Sequence, residues 1–254
     1  GLSFARQTNE RWFEAWAVYN LGHVDGLLGR HSQGYQQMMV GIDMWRELGD
    51  PQSIALGFNF LVPTLINLSR FEEAKAFMYE SIDLCEKSKN HWGKGTAYRY
   101  LGLTCIAEGQ FIEARAYLLK SLEIFGEFAV GWDIARSLTY LGDIALMTGD
   151  IAVASKKYQD ALRSSVEAQA IPIALDALLG LGNLQAQVGK LESAIALCCY
   201  VMKHPSSEEE TKRRAERLRA VLELQLNAEQ VEAALATARE KTFDMIVKAV
   251  LETT

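Results

Sequence analysis

The sequence predicts an all-α fold: a right-handed α-solenoid of helix-turn-helix hairpins with capping helices at its carboxy end. Three observations predict it. Letters return every forty residues, with Leu21, Leu61, Leu101, Leu141 and Leu181 filling one column without an insertion. Small residues keep their own columns: Gly22, Gly102, Gly142 and Gly182 follow the leucines, and Gly34, Ala74, Ala114, Ala154 and Ala194 recur in the next segment. A breaker stands at the waist of each period, at Gly29, Ser69, Gly109, Gly149 and Gly189, where a helix ends in a left-handed turn. A two-helix hairpin cannot bury both of its faces alone, so stacked copies supply one another's core.

The clearest copy is 93–132. Its first half places Ala97, Leu101, Thr104 and Cys105 at helical spacing, and its second half does so with Phe111, Ala114, Leu118 and Leu122. The glycine after the leucine and the small residue of the second helix let the two helices approach closely. A bulky column (Met38, Met78, Leu118, Tyr158, Cys198) fills the space between hairpins.

In chain order, residues 1–11 read as the tail of a truncated upstream repeat. Phe4 stands forty positions before Met44, and Trp12 precedes Trp92 and Trp132 by whole periods. Five repeats follow, at 12–52, 53–92, 93–132, 133–171 and 172–205. The first ends at the breaker cluster Gly49-Asp50-Pro51. The second puts Val62 where the others have glycine, and then Pro63. Proline there removes a helical hydrogen bond and crowds the Asn59 carbonyl, which predicts a kink. The fifth opens on Pro172, well placed for a helix start, and ends at His204-Pro205.

Beyond Pro205 the register is lost, and 206–254 reads as capping helices. Ser206-Ser207-Glu208-Glu209-Glu210 offers two capping boxes and an acidic first turn for a charged helix over 211–226, striped by Ala215, Leu218, Leu222 and Leu226. Asn227-Ala228-Glu229 caps a second helix through Ala238. Residues 242–251 make a third that buries Phe243, Ile246, Val247 and Val250. The basic run Lys212, Arg213, Arg214, Arg217 and Arg219 alternates with glutamate and reads as a solvated helix face.

Composition bounds the function. Apolar residues make up 49% of 254, ample for a continuous core, and the net charge of −6 opposes a nucleic-acid grip. No apolar run reaches the about eighteen residues of a membrane span, and the amino end lacks a signal-peptide layout. Cys85, Cys105, Cys198 and Cys199 fall on core columns, as buried thiols do in a reducing, cytoplasmic compartment. The sequence holds no Walker-type phosphate loop, no His-Glu-x-x-His, no paired-cysteine motif and no nucleophile elbow. His23, His31, His91 and His204 do not share a helix at metal-ligand spacing. The expectation is a non-enzyme without cofactor or metal, monomeric as an isolated domain.

The Leu-Gly pair, the turn glycine and the small-then-bulky second helix resemble the tetratricopeptide repeat over about 12–205. The period of forty exceeds that family's usual about 34, so helices and linkers are expected to be longer. The forty-residue spacing and the closing segment LNAEQVEAALATAREKTFDMIVKAVLE further resemble the carboxy-terminal sensor arrays of bacterial STAND-type signalling ATPases. That likeness implies a sensing arm that restrains an upstream nucleotide-binding module.

The repeat resemblance also implies that first helices line a concave groove. Helical spacing places Trp16, Tyr19, His23, Asn59, Asn67, Arg99, Arg136, Asp143 and Asn183 there, with an apolar strip of Ile66, Ile106 and Leu146. Asparagine pairs with both backbone donor and acceptor, and arginine takes a carboxylate bidentately, so an extended peptide or an acidic chain end suits this lining. The family's chaperone-tail clamp needs lysine and asparagine at set columns; Tyr19, Asn59 and Arg99 stand there instead. Three readings follow: a protein- or peptide-binding sensor domain, a receptor for a small ligand such as an oligosaccharide stacked near Trp16, or a static scaffold that binds other subunits. Extended binding along the arginines favours the first, a compact pocket near Trp16 the second, and a large apolar self-contact the third.

Overall fold

The computed structural model describes residues 10–252, and all regular structure among them is helical. The thirteen helices are α1 (Arg11–Leu27), α2 (His31–Leu48), α3 (Pro51–Asn67), α4 (Phe71–Lys87), α5 (His91–Ala107), α6 (Phe111–Glu127), α7 (Gly131–Met147), α8 (Ile151–Glu167), α9 (Ile171–Gln187), α10 (Leu191–Lys203), α11 (Glu209–Glu223), α12 (Ala228–Glu240) and α13 (Phe243–Glu252). The expectation about residues 1–9 lies outside the described residues. Two compact units are distinguished, the amino-terminal one closing at Glu127 and the carboxy-terminal one opening at Phe128.

The forty-residue period divides into halves of the same design. Helices α3 to α9 are each 17 residues long, and so is α1. Every helix from α1 to α9 closes in the left-handed region, at the waists (Gly29, Ser69, Gly109, Gly149, Gly189) and also between hairpins (Gly49, Lys89, Ala129, Gln169). The extra length of the period therefore goes into the helices, and the link between hairpins is as short as the turn within one. The second set of turns is mostly non-glycine, which is why it left no column in the sequence. Side chains cap several of the starts: Asp50 accepts from the Ser53 amide at 3.1 Å, Asn90 from Gly93 at 2.8 Å and Asp150 from Val153 at 3.1 Å.

The small columns do what close packing requires. A methyl group at Gly22 would lie 2.6 Å from the Gly34 carbonyl oxygen, so α1 and α2 touch backbone to backbone. At Gly142 and Gly180 it would strike the Tyr158 ring at 2.6 and 2.2 Å. The leucine column is interior at Leu61, Leu101, Leu141 and Leu181, but Leu21 is 51% exposed. Here the expectation of five matching interior positions fails, because no described element packs over that face of α1. Helix α3 runs unbroken through Pro63, whose carbonyl accepts the Asn67 side-chain amide at 2.8 Å.

Within the amino-terminal unit, the first helices α1, α3 and α5 approach one another directly, while the second helices are bridged by long side chains. Tyr35 donates to Glu73 at 2.8 Å, Arg46 to Glu80 at 3.2 Å, and the Tyr79 and Tyr117 hydroxyls meet at 2.7 Å. First helices thus form the tighter wall of this unit. All four cysteines are buried and free, and burial pushes every thiol up, Cys198 to about 12.

The closing helices differ from expectation at their start. Helix α11 has Glu208 at its N-cap with no side-chain cap bond, so neither Ser206 nor Ser207 makes a capping box, and the Ser207 hydroxyl is buried without a hydrogen-bond partner. Leu226 lies beyond α11, whose buried stripe is Thr211, Ala215 and Leu222. Asn227 and Gln230 do form a capping box on α12. Helix α13 buries Ile246 and Val247, with Phe243 and Val250 packed alongside.

Candidate functional site

In the amino-terminal unit, one face gathers aromatic side chains around a small cavity. Trp16, Asn20 and His23 on α1 and Leu56 and Phe60 on α3 form its walls, and Tyr19, Trp45 and Gly57 complete it. The cavity measures about 150 Å³. Gly57 lets α3 close on α2 beneath it, since a methyl group there would lie 3.0 Å from both Ile42 and Trp45. Trp16 is 41% exposed, stacks on Trp12 with ring centroids 5.9 Å apart, and lies 6.2 Å from the buried Trp45. His23 meets Phe60 edge to face at 6.2 Å, and partial burial lowers its pKa, so the imidazole is neutral at pH 7. Trp45 is fully buried, and its indole N–H has no hydrogen-bond partner. Asn20 and Asn67 each donate to a carbonyl of their own helix, Trp16 and Pro63 respectively, which leaves the amide oxygen of each to accept.

Three residues expected in the groove are core instead. Tyr19 is 4% exposed and donates to the Gly57 carbonyl at 2.8 Å; burial pushes its phenol well above the ordinary range. Asn59 is fully buried, accepts from the Ser81 hydroxyl at 3.1 Å and reaches the Gly93 carbonyl at 3.4 Å, so it ties α3 to α4 and α5. Arg99 is 4% exposed, with its guanidinium 5.6 Å from the Tyr100 ring and 5.7 Å from that of Phe125. All three share one column, which continues through the buried Thr139 and Leu179. That column points at the neighbouring first helix and the second helix beneath, so it cannot line an open face. Leu146 of the expected apolar strip is buried as well.

In the carboxy-terminal unit, the expected residues are gathered by the chain itself. Arg136 on α7 pairs with Glu208 at 3.1 Å. Asp143 on α7 accepts the Tyr158 hydroxyl proton at 2.7 Å and faces Arg214 of α11 at 3.7 Å. The same guanidinium binds Asp176 of α9 at 2.8 Å. Thr211 adds a 3.5 Å bond to Asp176. Burial holds the Asp143 carboxyl up at about 6 despite Arg214, and Asp176 beside it adds to the rise. Arg214 therefore departs from the solvated basic face expected of it. Its neighbours conform: Arg213 and Arg217 pair with glutamates of α11 itself, and Arg219 with Glu223. Asn183 on α9 is exposed and outside this cluster.

Sequence reasoning missed Asn20, Phe60 and Trp45 in the first face and Arg214 in the second. The column Asn20, Phe60, Tyr100, Tyr140 repeats at forty residues and was the available signal for the aromatic wall. Nothing in the sequence marks Arg214 among five cations in eight residues.

The described residues contain no cluster of histidine, cysteine or carboxylates able to hold a metal, and no helix long and apolar enough to cross a membrane. A tetratricopeptide repeat family model matches residues 53–127 and 93–165. No curated protein matches the sequence. Among solved structures, a Rap protein complexed with competence and sporulation factor is similar over 99% of this chain and 69% of its own, with a TM-score of 0.63 and 15% identity. Aspartyl phosphate phosphatase F from Bacillus subtilis is similar over 87% of this chain and 62% of its own (TM-score 0.61, 13% identity). A signal transduction ATPase with numerous domains and a tetratricopeptide repeat sensor, from Pyrococcus horikoshii, is similar over 95% of this chain and 38% of its own (TM-score 0.61, 13% identity). At these identities the likeness is one of fold, and the chain spans well under half the length of the last.

Proposed function

We propose that this chain, whose residues 53–165 match the tetratricopeptide repeat and which shares the fold of proteins built from it, is a protein- or peptide-binding sensor domain whose amino-terminal unit seats one apolar or aromatic side chain of its partner. The observation that carries the reading is the cavity beside Trp16. At about 150 Å³ it falls below the roughly 300–1,000 Å³ of sites that enclose a whole small molecule, and it suits a single side chain. Trp16, His23 and Phe60 give that side chain aromatic walls, worth about 1 kcal/mol beyond area burial for a well-placed ring. The free amide oxygens of Asn20 and Asn67 accept from the partner's backbone. The likeness to an ATPase with a repeat sensor supports a sensing role within a larger signalling protein.

A displayed library of random peptides selected on the full chain tests this. Selected peptides should share one apolar or aromatic anchor, and Phe60→Ala and Trp16→Ala should each weaken them at least tenfold with the helical content unchanged. Peptides indifferent to both substitutions would sink the reading. Binding of oligosaccharides on a glycan array, lost in Trp16→Ala, would transfer the site to the small-ligand reading; the compact pocket beside Trp16 is the feature that favours it.

A further inference from the structure

The cluster on α7, α9 and α11 has the composition of a recognition site that already holds a ligand. Two carboxylates from different hairpins, Asp143 and Asp176, converge on one guanidinium, and the Tyr158 hydroxyl fixes the first of them. That frame is rigid. Tyr158 is fully buried, and Gly142 and Gly180 press on its ring from two helices. What fills the frame is one helix, anchored to the core by a narrow stripe of Ala215, Leu218 and Leu222. Of the fifteen residues of α11, only Thr211, Ala215 and Leu222 are buried. A second charged contact lies one and a half turns upstream, where Glu208 meets Arg136. We propose that the Asp143–Asp176 pair is a guanidinium-binding notch, that α11 occupies it as an internal ligand through Arg214, and that a partner helix carrying a carboxylate followed six residues later by arginine takes its place.

The commitment to an arginine helix follows from charge and geometry. Two carboxylates on one side match the forked donors of a guanidinium and give a lysine ammonium only a point contact. Arg136 at the far end needs an anion, and six residues of helix separate the two contacts by about 9 Å. Leaving Asp143 and Asp176 facing each other without a cation costs both burial and like-charge repulsion, so the notch favours exchange of one arginine for another over standing vacant. The inference does not depend on the cavity beside Trp16.

The test uses the full chain and a labelled synthetic peptide spanning residues 206–226. Amide exchange in α11 of Arg214→Ala should be at least tenfold faster than in the unaltered chain, with α8 and α9 unchanged. That variant should bind the peptide at least tenfold more tightly than the unaltered chain does, because its notch is no longer filled. Adding Asp176→Asn, or using a peptide with glutamine in place of its arginine, should abolish the gain. Unchanged α11 exchange in Arg214→Ala, or peptide binding indifferent to Asp176→Asn, would overturn the proposal and leave α11 a fixed cap. If Arg214→Ala instead loosens α8 and α9, the unaltered chain decides: saturating peptide must speed its α11 exchange, and the glutamine peptide must not.

Discussion

The amino-terminal and carboxy-terminal units place the same columns in opposite circumstances. In the first, the outer positions of α1 and α3 (Trp16, Asn20, His23, Phe60) surround a cavity beside the half-exposed Trp16. In the second, the matching columns carry Arg136, Asp143 and Asp176, and α11 has already engaged all three. The polar residues of the amino-terminal unit that looked ligand-facing, Asn59 and Arg99, sit one column over and are buried. A shift of one helical column, about 100° of rotation per residue, separates a side chain that greets solvent from one that ties neighbouring helices together. Residue type alone does not tell a binding amide from a structural one.

That contrast can be broken or sharpened by substitution, and the largest effect belongs to the carboxy-terminal frame. Gly180→Ala drives a methyl group to within 2.2 Å of a Tyr158 ring that cannot retreat, and should cost about 3 kcal/mol in urea unfolding. Two residues along the same helix, Gly182→Ala meets nothing nearer than 3.4 Å and should be close to neutral. In the amino-terminal unit, Gly102→Ala meets the Leu118 side chain at 2.7 Å, an aliphatic neighbour smaller than the Tyr158 ring, and should fall between the two.

Asn59→Ala tests the buried column. It removes the hydrogen bond from Ser81 and opens a small void, so it should cost about 2 kcal/mol of stability while leaving partner binding at the Trp16 face unchanged. A selective loss of binding without loss of stability would return Asn59 to the groove.

A pH series separates the units as well. Asp143 is held up at about 6, against about 3.9 in an unfolded chain, so the folded protein carries the extra proton between those values. Its contribution to stability is fully present below about pH 4 and is lost as pH rises through about 6. Asp143→Asn should remove that slope from the pH dependence of the urea midpoint. An unchanged profile would mean that Asp143 does not titrate in this range.

The smallest expected effect is a gain. Lys89 and Gln169 hold left-handed backbone at φ of 55° and 54°, at helix ends where Gly49 and Gly109 do the same at less cost. Lys89→Gly and Gln169→Gly should each raise stability by about 1 kcal/mol or less, read as a shift in thermal midpoint.

Much of the fold was legible because packing between like hairpins repeats at a fixed spacing. Leu61, Leu101, Leu141 and Leu181, the close contacts at Gly22 and Gly142, and the waist turns all followed from columns. Leu21 did not, because burial depends on what lies against a residue as well as on its place in the period. The turns at Lys89, Ala129 and Gln169 were hidden because backbone strain can be tolerated without glycine when the helices on both sides are held by packing. Of the face beside the cavity, Trp16 and His23 were legible from helical spacing. Phe60 stood in a legible column beside the one that was read, and Trp45 did not, since it reaches the cavity from the second helix α2.

By itself, then, the sequence determined the all-helical hairpin repeat, the hairpin pairing and the identity of the close-packed columns, because these are local or periodic consequences of side-chain size and backbone freedom. Tertiary structure alone decided which polar columns are core, that Trp16 stands beside a cavity, and that Arg214, 38 residues from Asp176, belongs to α9 rather than to water. Those outcomes depend on the azimuth at which helices meet and on contacts between segments of unrelated register, and no spacing rule encodes either.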